Sequence, residues 1–112
     1  MKNKPTQKLV APGGVLGIET ASPLRQELLA ALAGSDEVLF DFSGAEDIDL
    51  AVLQVLYAAR RSAELGKVRF SLMGKVSEKI SKRLQVAGFT HSPCRTGEEL
   101  ETSLVDYGSA TK

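Results

Sequence analysis

Leu39-Phe40-Asp41-Phe42-Ser43-Gly44-Ala45-Glu46-Asp47-Ile48-Asp49-Leu50-Ala51-Val52-Leu53-Gln54-Val55-Leu56 reads as an apolar strand, a short acidic turn, and a helix whose first turn follows Asp49. A strand feeding straight into a helix N-terminus gathers backbone N–H groups and the positive end of the helix dipole at one surface spot. Where a phosphorylatable hydroxyl would serve as a switch at the start of such a helix, the chain carries Leu50.

Upstream, Lys8 to Ala11 reads as a first strand and Val15 to Glu19 as a second. Pro12-Gly13-Gly14 between them suits a hairpin-like turn, so the leading pair adds an antiparallel edge. Ser22 before Pro23 reads as an N-cap with proline at the first helical position. Leu24, Leu28, Ala31 and Leu32 then recur on one face until Gly34 stops the helix. Val38, Phe40 and Phe42 form a third strand, and Leu39 makes its other face apolar too, as in a sheet covered on both sides.

Downstream, the helix from about Leu50 to Leu65 ends at Gly66, and Val68 to Met73 alternates as a strand. Ser77 begins a third helix with Val76, Ile80, Leu84 and Ala87 on one side, ended by Gly88. A short extended piece follows near Phe89. Thr96-Gly97-Glu98-Glu99 is a capping box into a last helix carrying Leu100, Leu104 and Tyr107. The order is ββαβαβα(β)α, an α/β fold with a mixed, mostly parallel sheet of four to five strands and about four helices.

The 112 residues read as a single domain, 1–112, with its core at about 6–107 and frayed polar ends at 1–5 and 108–112. Fourteen acids balance fourteen bases, which argues against a general grip on nucleic acid. That neutrality suits a standing partner or a homodimer. No apolar run approaches the roughly 20 residues of a membrane span, and no signal peptide is evident. Cys94 is the single cysteine, consistent with a cytoplasmic chain.

The chain resembles the STAS domain family, the domains of sulfate transporters and anti-sigma factor antagonists. The resemblance is carried by Gly17-Ile18-Glu19-Thr20-Ala21-Ser22-Pro23-Leu24, by Phe40-Asp41-Phe42-Ser43, by Asp49 to Leu56, and by Leu84-Gln85-Val86-Ala87-Gly88-Phe89. It implies that Asp49 stands at the acid of the family's middle motif and Leu50 at the Ser or Thr that a partner kinase phosphorylates. Ala51 is the small residue, Val52 replaces glycine, and Leu53 is kept. A leucine has no nucleophilic oxygen, and Val52 adds bulk that would alter how closely a partner approaches.

At about 100° per residue, Val52, Val55, Leu56, Ala59 and Ala63 share the core arc of the second helix. Leu50, Gln54, Tyr57, Arg61 and Glu64 gather on the opposite arc, with Leu53 at the border. An exposed Leu and Tyr beside an Arg is the composition of an interface centre. The candidate partner-binding set is therefore Ser43, Asp47, Asp49, Leu50, Leu53, Gln54, Tyr57 and Arg61. Asp replacing Tyr57 or Leu50 is expected to spare the melt and abolish partner capture.

The acids Asp41, Asp47 and Asp49 suggest a cation site less than they suggest caps on a helix dipole, so no metal is assigned. Ser43 reads as a turn-closing hydroxyl more readily than as a phosphate acceptor. Lys75, Lys79, Lys82 and Arg83 make the third helix basic along one side, suited to an acidic partner or to solvent. His91 and Cys94 lie three apart with no further ligands. No phosphate-loop, dinucleotide or zinc-protease motif is present, so no catalytic residue and no cofactor is expected. The reading is a non-enzymatic, protein-binding regulator resembling anti-sigma factor antagonists, its partner an anti-sigma factor or serine kinase-like protein. One alternative is a STAS subunit of a lipid-transporting ABC system, bound to the ATPase subunit. Another is a small nucleotide-binding module.

Overall fold

The structure, a computed structural model, describes residues 6–105 and 107. The ends expected to fray, 1–5 and 108–112, lie outside the described residues. The order is β1 (Gln7–Val10), β2 (Gly14–Leu16), α1 (Ile18–Gly34), β3 (Glu37–Asp41), β4 (Ala45–Ile48), α2 (Leu50–Gly66), β5 (Arg69–Met73), α3 (Glu78–Val86) and α4 (Gly97–Ser103). The α/β class, its largely parallel strands and its four helices agree with the sequence reading.

The leading hairpin does not form. β1 pairs in parallel with β3, and β2 pairs in parallel with β4. β3 also pairs in parallel with β5, so the sheets are β1-β3-β5 and β2-β4. At Pro12-Gly13 the chain bends from the first sheet to the second, and at Ser43-Gly44 it bends again alongside. The two bends abut, with the Gly14 N–H donating to the Gly44 carbonyl at 2.9 Å. Side-by-side passage buries Val10, Leu16, Phe40, Phe42 and Ile48 together. That burial outweighs the local preference of Pro-Gly-Gly for folding back.

β4 was hidden in what reads as an acidic turn. Ala45 and Ile48 are buried at its ends, while Glu46 faces solvent. Two adjacent acids mask such a short strand, because its pairing partner lies about thirty residues upstream.

Val10, Val38, Phe40, Phe70 and Leu72 alternate onto one buried face. α1 and α2 pack on each other and against this sheet. The opposite face is not fully covered: Leu39 is only half-buried and its neighbour Leu9 is 51% exposed. In α1 the expected stripe Leu24, Leu28, Ala31 and Leu32 is buried. The helix nevertheless starts at Ile18, ahead of Ser22. The Thr20 hydroxyl accepts from the Gly17 N–H at 2.9 Å and donates to the Gly17 carbonyl at 2.8 Å, closing the first turn there. Pro23 is tolerated inside the helix because the one carbonyl it leaves without a donor belongs to exposed Glu19.

α2 runs through Gly66, and Lys67 takes the left-handed cap at φ 58°. Its N–H donates to the Ala63 and Glu64 carbonyls. α3 is capped by Ser77 and α4 by Thr96, as expected. Glu99 reaches past Thr96 to accept from the Arg95 N–H at 2.7 Å. No strand forms at Phe89. Its N–H closes the end of α3 on the Leu84 carbonyl, and its own carbonyl accepts from Val105. Ala87, expected in the core, is exposed at the end of α3.

Candidate functional site

Asp49 organises the start of α2. Its Oδ1 accepts from the Ala51 N–H at 3.0 Å and the Val52 N–H at 3.3 Å, so the free amides of the first turn are served from within the chain. The Asp49 N–H donates to the Leu16 carbonyl at 3.1 Å, which ties the helix start to β2. Held this way, Leu50 projects outward and is 48% exposed.

Beside Leu50 runs an open groove of about 620 Å³, bounded by α3 through Lys79, Lys82, Arg83 and Val86 and floored in part by Asp47. Val86 is 78% exposed. The groove holds its shape through two polar ties. The Ser77 hydroxyl donates to the Glu46 carbonyl at 2.7 Å, fastening the start of α3 to β4. Arg83 grips Asp47 with both arms, Nε to Oδ1 at 2.9 Å and Nη2 to Oδ2 at 2.7 Å. A forked pair of this kind sets orientation as well as attraction.

The guanidinium beside Asp47 holds its carboxyl below the usual 3.8, chiefly through the side-chain hydrogen bond. The same bond raises Arg83 above its usual value. A carboxyl depressed in the folded state stabilises above its unfolded value and loses that contribution as pH falls through the lower folded value. Arg83→Met should therefore raise the Asp47 midpoint toward 3.8 in an NMR titration. With Arg83 half in solvent, the stability cost at neutral pH should be small, because water screens an exposed pair. The two proteins should converge in stability once the pH lies below both Asp47 midpoints. An unchanged Asp47 midpoint in the variant would rule out the grip.

The structure divides the candidate residues. Asp47 and Leu50 line the groove, while Asp49 caps the helix start next to it. Gln54 and Arg61 are exposed farther along α2. Ser43 is exposed but sits elsewhere, on a second groove with Lys75, Ser77 and Arg95. Its N–H donates to Asp41 Oδ1 at 2.9 Å and its Oγ accepts from the Lys75 N–H at 3.3 Å.

Two placements are corrected. Leu53, set at the border of the exposed arc, has no exposure and belongs to the core. Tyr57 is half-buried, because segments remote in sequence fold over its side of α2. Its hydroxyl donates to the Val105 carbonyl, and its ring packs edge-on against Phe89 and Tyr107 at centroid distances of 6.2 and 5.3 Å. Burial, with Glu101 nearby, pushes the Tyr107 hydroxyl above its usual value, and Arg60 lies over that ring. Tyr57→Asp would therefore damage the fold, contrary to the sequence expectation. Val52 also lies wholly in the core, so its bulk does not narrow the surface at residue 50.

Sequence reasoning saw the basic stripe on α3 but did not join it to Leu50, and it passed over Val86. The spacing Lys79, Lys82, Arg83, Val86 was the available signal, since these positions share one helix face. The expected core residues Ile80 and Leu84 are buried on the other side. Among the described residues no group of His, Cys, Asp and Glu could hold a metal ion, and no helix is long and apolar enough to cross a membrane. Cys94 is buried, and its N–H is bonded by the Ser81 hydroxyl at 3.0 Å.

Comparison with known proteins agrees with this architecture. A solved structure titled "Crystal Structure Analysis of Mglu" resembles the chain with a TM-score of 0.55 and 18% identity. The match covers 65% of this chain and 18% of that one, so the chain corresponds to a small part of that protein, and the likeness speaks for the fold alone. No curated protein matches the chain. A family model described as "Mlab, STAS domain" matches residues 3–104. With the capped helix start, the strand feeding it and a match over nearly the whole length, the chain belongs to the STAS domain family.

Proposed function

We propose that this STAS domain is a non-catalytic regulator that works by binding protein, in the manner of an anti-sigma factor antagonist. Its partner docks on the first turn of α2 and the adjoining face of α3, and phosphorylation at residue 50 does not control the docking. The observation that supports this is Leu50 itself, half-exposed beside an open groove where the family pattern has a hydroxyl. A phosphate there would add about −1.5 to −2 charges beside Glu46, Asp47 and Asp49. A hydrocarbon side chain instead offers a permanent contact.

The same substitution supports a second reading, a STAS subunit held on the ATPase subunit of a lipid-transporting ABC system. A standing subunit has no need of a toggle. Tagged protein and its Leu50→Asp variant, expressed in the native host, distinguish the two. Mass spectrometry should find one stoichiometric partner with the parent and at least tenfold less with the variant. A serine kinase-like or anti-sigma protein supports the first reading, and a transporter ATPase supports the second. Equal recovery with both baits, or no stoichiometric partner at all, would overturn docking at residue 50.

A further inference from the structure

We infer that the groove beside Leu50 receives an acidic, amphipathic segment of a protein partner, its carboxylates on the α3 cations and its apolar side chains on Leu50 and Val86. The inference rests on the docking reading above and adds the chemistry of what docks.

The excess of positive charge is local. Across the chain, acids and bases balance at fourteen each. The groove departs from that balance, with Lys79, Lys82 and Arg83 facing the single acid Asp47. Arg83 already occupies both oxygens of that acid. Lys79 and Lys82 make no ion pair among the described residues, and both are exposed. Lys79 still feels Asp47 from a distance, but three cations against one lining acid leave this rim net positive, and acidic groups of a partner complement it.

Hydrocarbon beside those cations points to the form of the occupant. Leu50 and Val86, 48% and 78% exposed, contribute hydrocarbon from two different helices to the same groove. Paired apolar positions beside a cationic edge match an amphipathic helix laid into a groove, with leucine-like residues one turn apart and acids flanking them. A free phosphate fits less well. The Ala51 and Val52 amides are already bonded by Asp49, and a leucine at the centre repels a hydrated anion. An anionic membrane also fits less well, since the groove offers only Lys79, Lys82 and Arg83, whereas lipid-binding patches gather 4–8 Lys or Arg.

The test uses the whole protein and two synthetic peptides of roughly 15 residues, long enough for marginal helicity. Both repeat Leu at helical spacing; one carries Glu and the other Lys at the flanking positions. In an NMR titration the Leu/Glu peptide should shift the amides of residues 50, 79, 82, 83 and 86. Its affinity should fall as salt is raised through 0.1 M, where the screening length is about 10 Å. Lys79→Glu combined with Lys82→Glu should weaken it about tenfold with an unchanged melt, both side chains being exposed. The Leu/Lys peptide should bind no better to the parent than the Leu/Glu peptide binds to this double variant.

The inference fails if neither peptide binds, if both bind alike, or if the double variant binds the Leu/Glu peptide as the parent does. It also fails if the parent cosediments with phosphatidylglycerol vesicles, but not phosphatidylcholine vesicles, while ignoring both peptides. The docking reading fails separately. Should Leu50→Asp lose the native partner and the double variant keep it, docking stands and the acidic occupant does not. Should Leu50→Asp keep the partner, docking itself is wrong.

Discussion

Leu53→Asp should abolish folding, whereas Leu50→Asp, one turn earlier on the same helix, should leave the melting temperature within about 4 °C of the parent. Leu53 has no exposure and packs within the main core. Replacing it with Asp removes a buried leucine, worth about 2–5 kcal/mol by itself. The change also forces a carboxylate, or its protonated form, into a site without polar partners. Together these approach the whole stability of a domain this size, about 5–15 kcal/mol. Leu50 stands half in water, and an acid at the first turn of a helix is favoured by the dipole. The neighbouring acids Asp47 and Asp49 offset part of that gain. Circular dichroism melts of the two variants decide the matter. Equal melts would place both leucines on the surface and return the docking face to the outer arc of α2.

Gly97→Ala should cost about 3 kcal/mol or more, read as a shifted midpoint in urea unfolding. Gly97 opens α4 and is buried against the backbone of β5. A Cβ built there would lie 2.3 Å from Met73 N and 2.6 Å from Leu72 C. Those are main-chain atoms within a paired strand, so they cannot swing aside as a side-chain tip would. α4 must lift away, loosening Leu100 and Leu104 from the core and lengthening the 2.8 Å bond from the Gly97 N–H to the Gly74 carbonyl. Glu98→Ala, the next residue and exposed, is the control and should change stability by about 0.5 kcal/mol or less. Equal midpoints for the two variants would mean that α4 is not seated on β5 as described.

The sequence carries much of the architecture because the relevant signals are short. Asp49, Ser77 and Thr96 cap helices through bonds that span two or three residues. The 3.6-residue recurrence of Leu24, Leu28, Ala31 and Leu32 marks a buried face without any knowledge of what covers it. The α1 start was legible too, in the reach of Thr20 back to Gly17, but Ser22-Pro23 gave a stronger conventional signal and drew the boundary forward.

The site was legible only in part. An angular plot of α2 separates its core arc from its outer arc, yet it treats the outer arc as uniform. Leu53 and Tyr57 leave that arc because other segments cover their sides of the helix. Tyr57 in particular is held by Phe89, Val105 and Tyr107, which are 32 to 50 positions away. Asp47 and Arg83 are similarly remote, 36 residues apart, and no local rule pairs them.

By itself, then, the order of residues determined the four helices and the principal strands, the capped start of α2, the family, and the hydrocarbon side chain at residue 50. Each depends on side chains within about one turn, or on a single side chain's chemistry. Tertiary structure alone decided that the leading strands run parallel in two sheets, that Leu53 and Tyr57 are withdrawn, and that α3 brings its cations beside Leu50. Those outcomes depend on which distant segments share the burial of Phe40, Phe42, Ile48 and their neighbours. Such burial is non-directional and summed over the whole core, so no short window of sequence contains it.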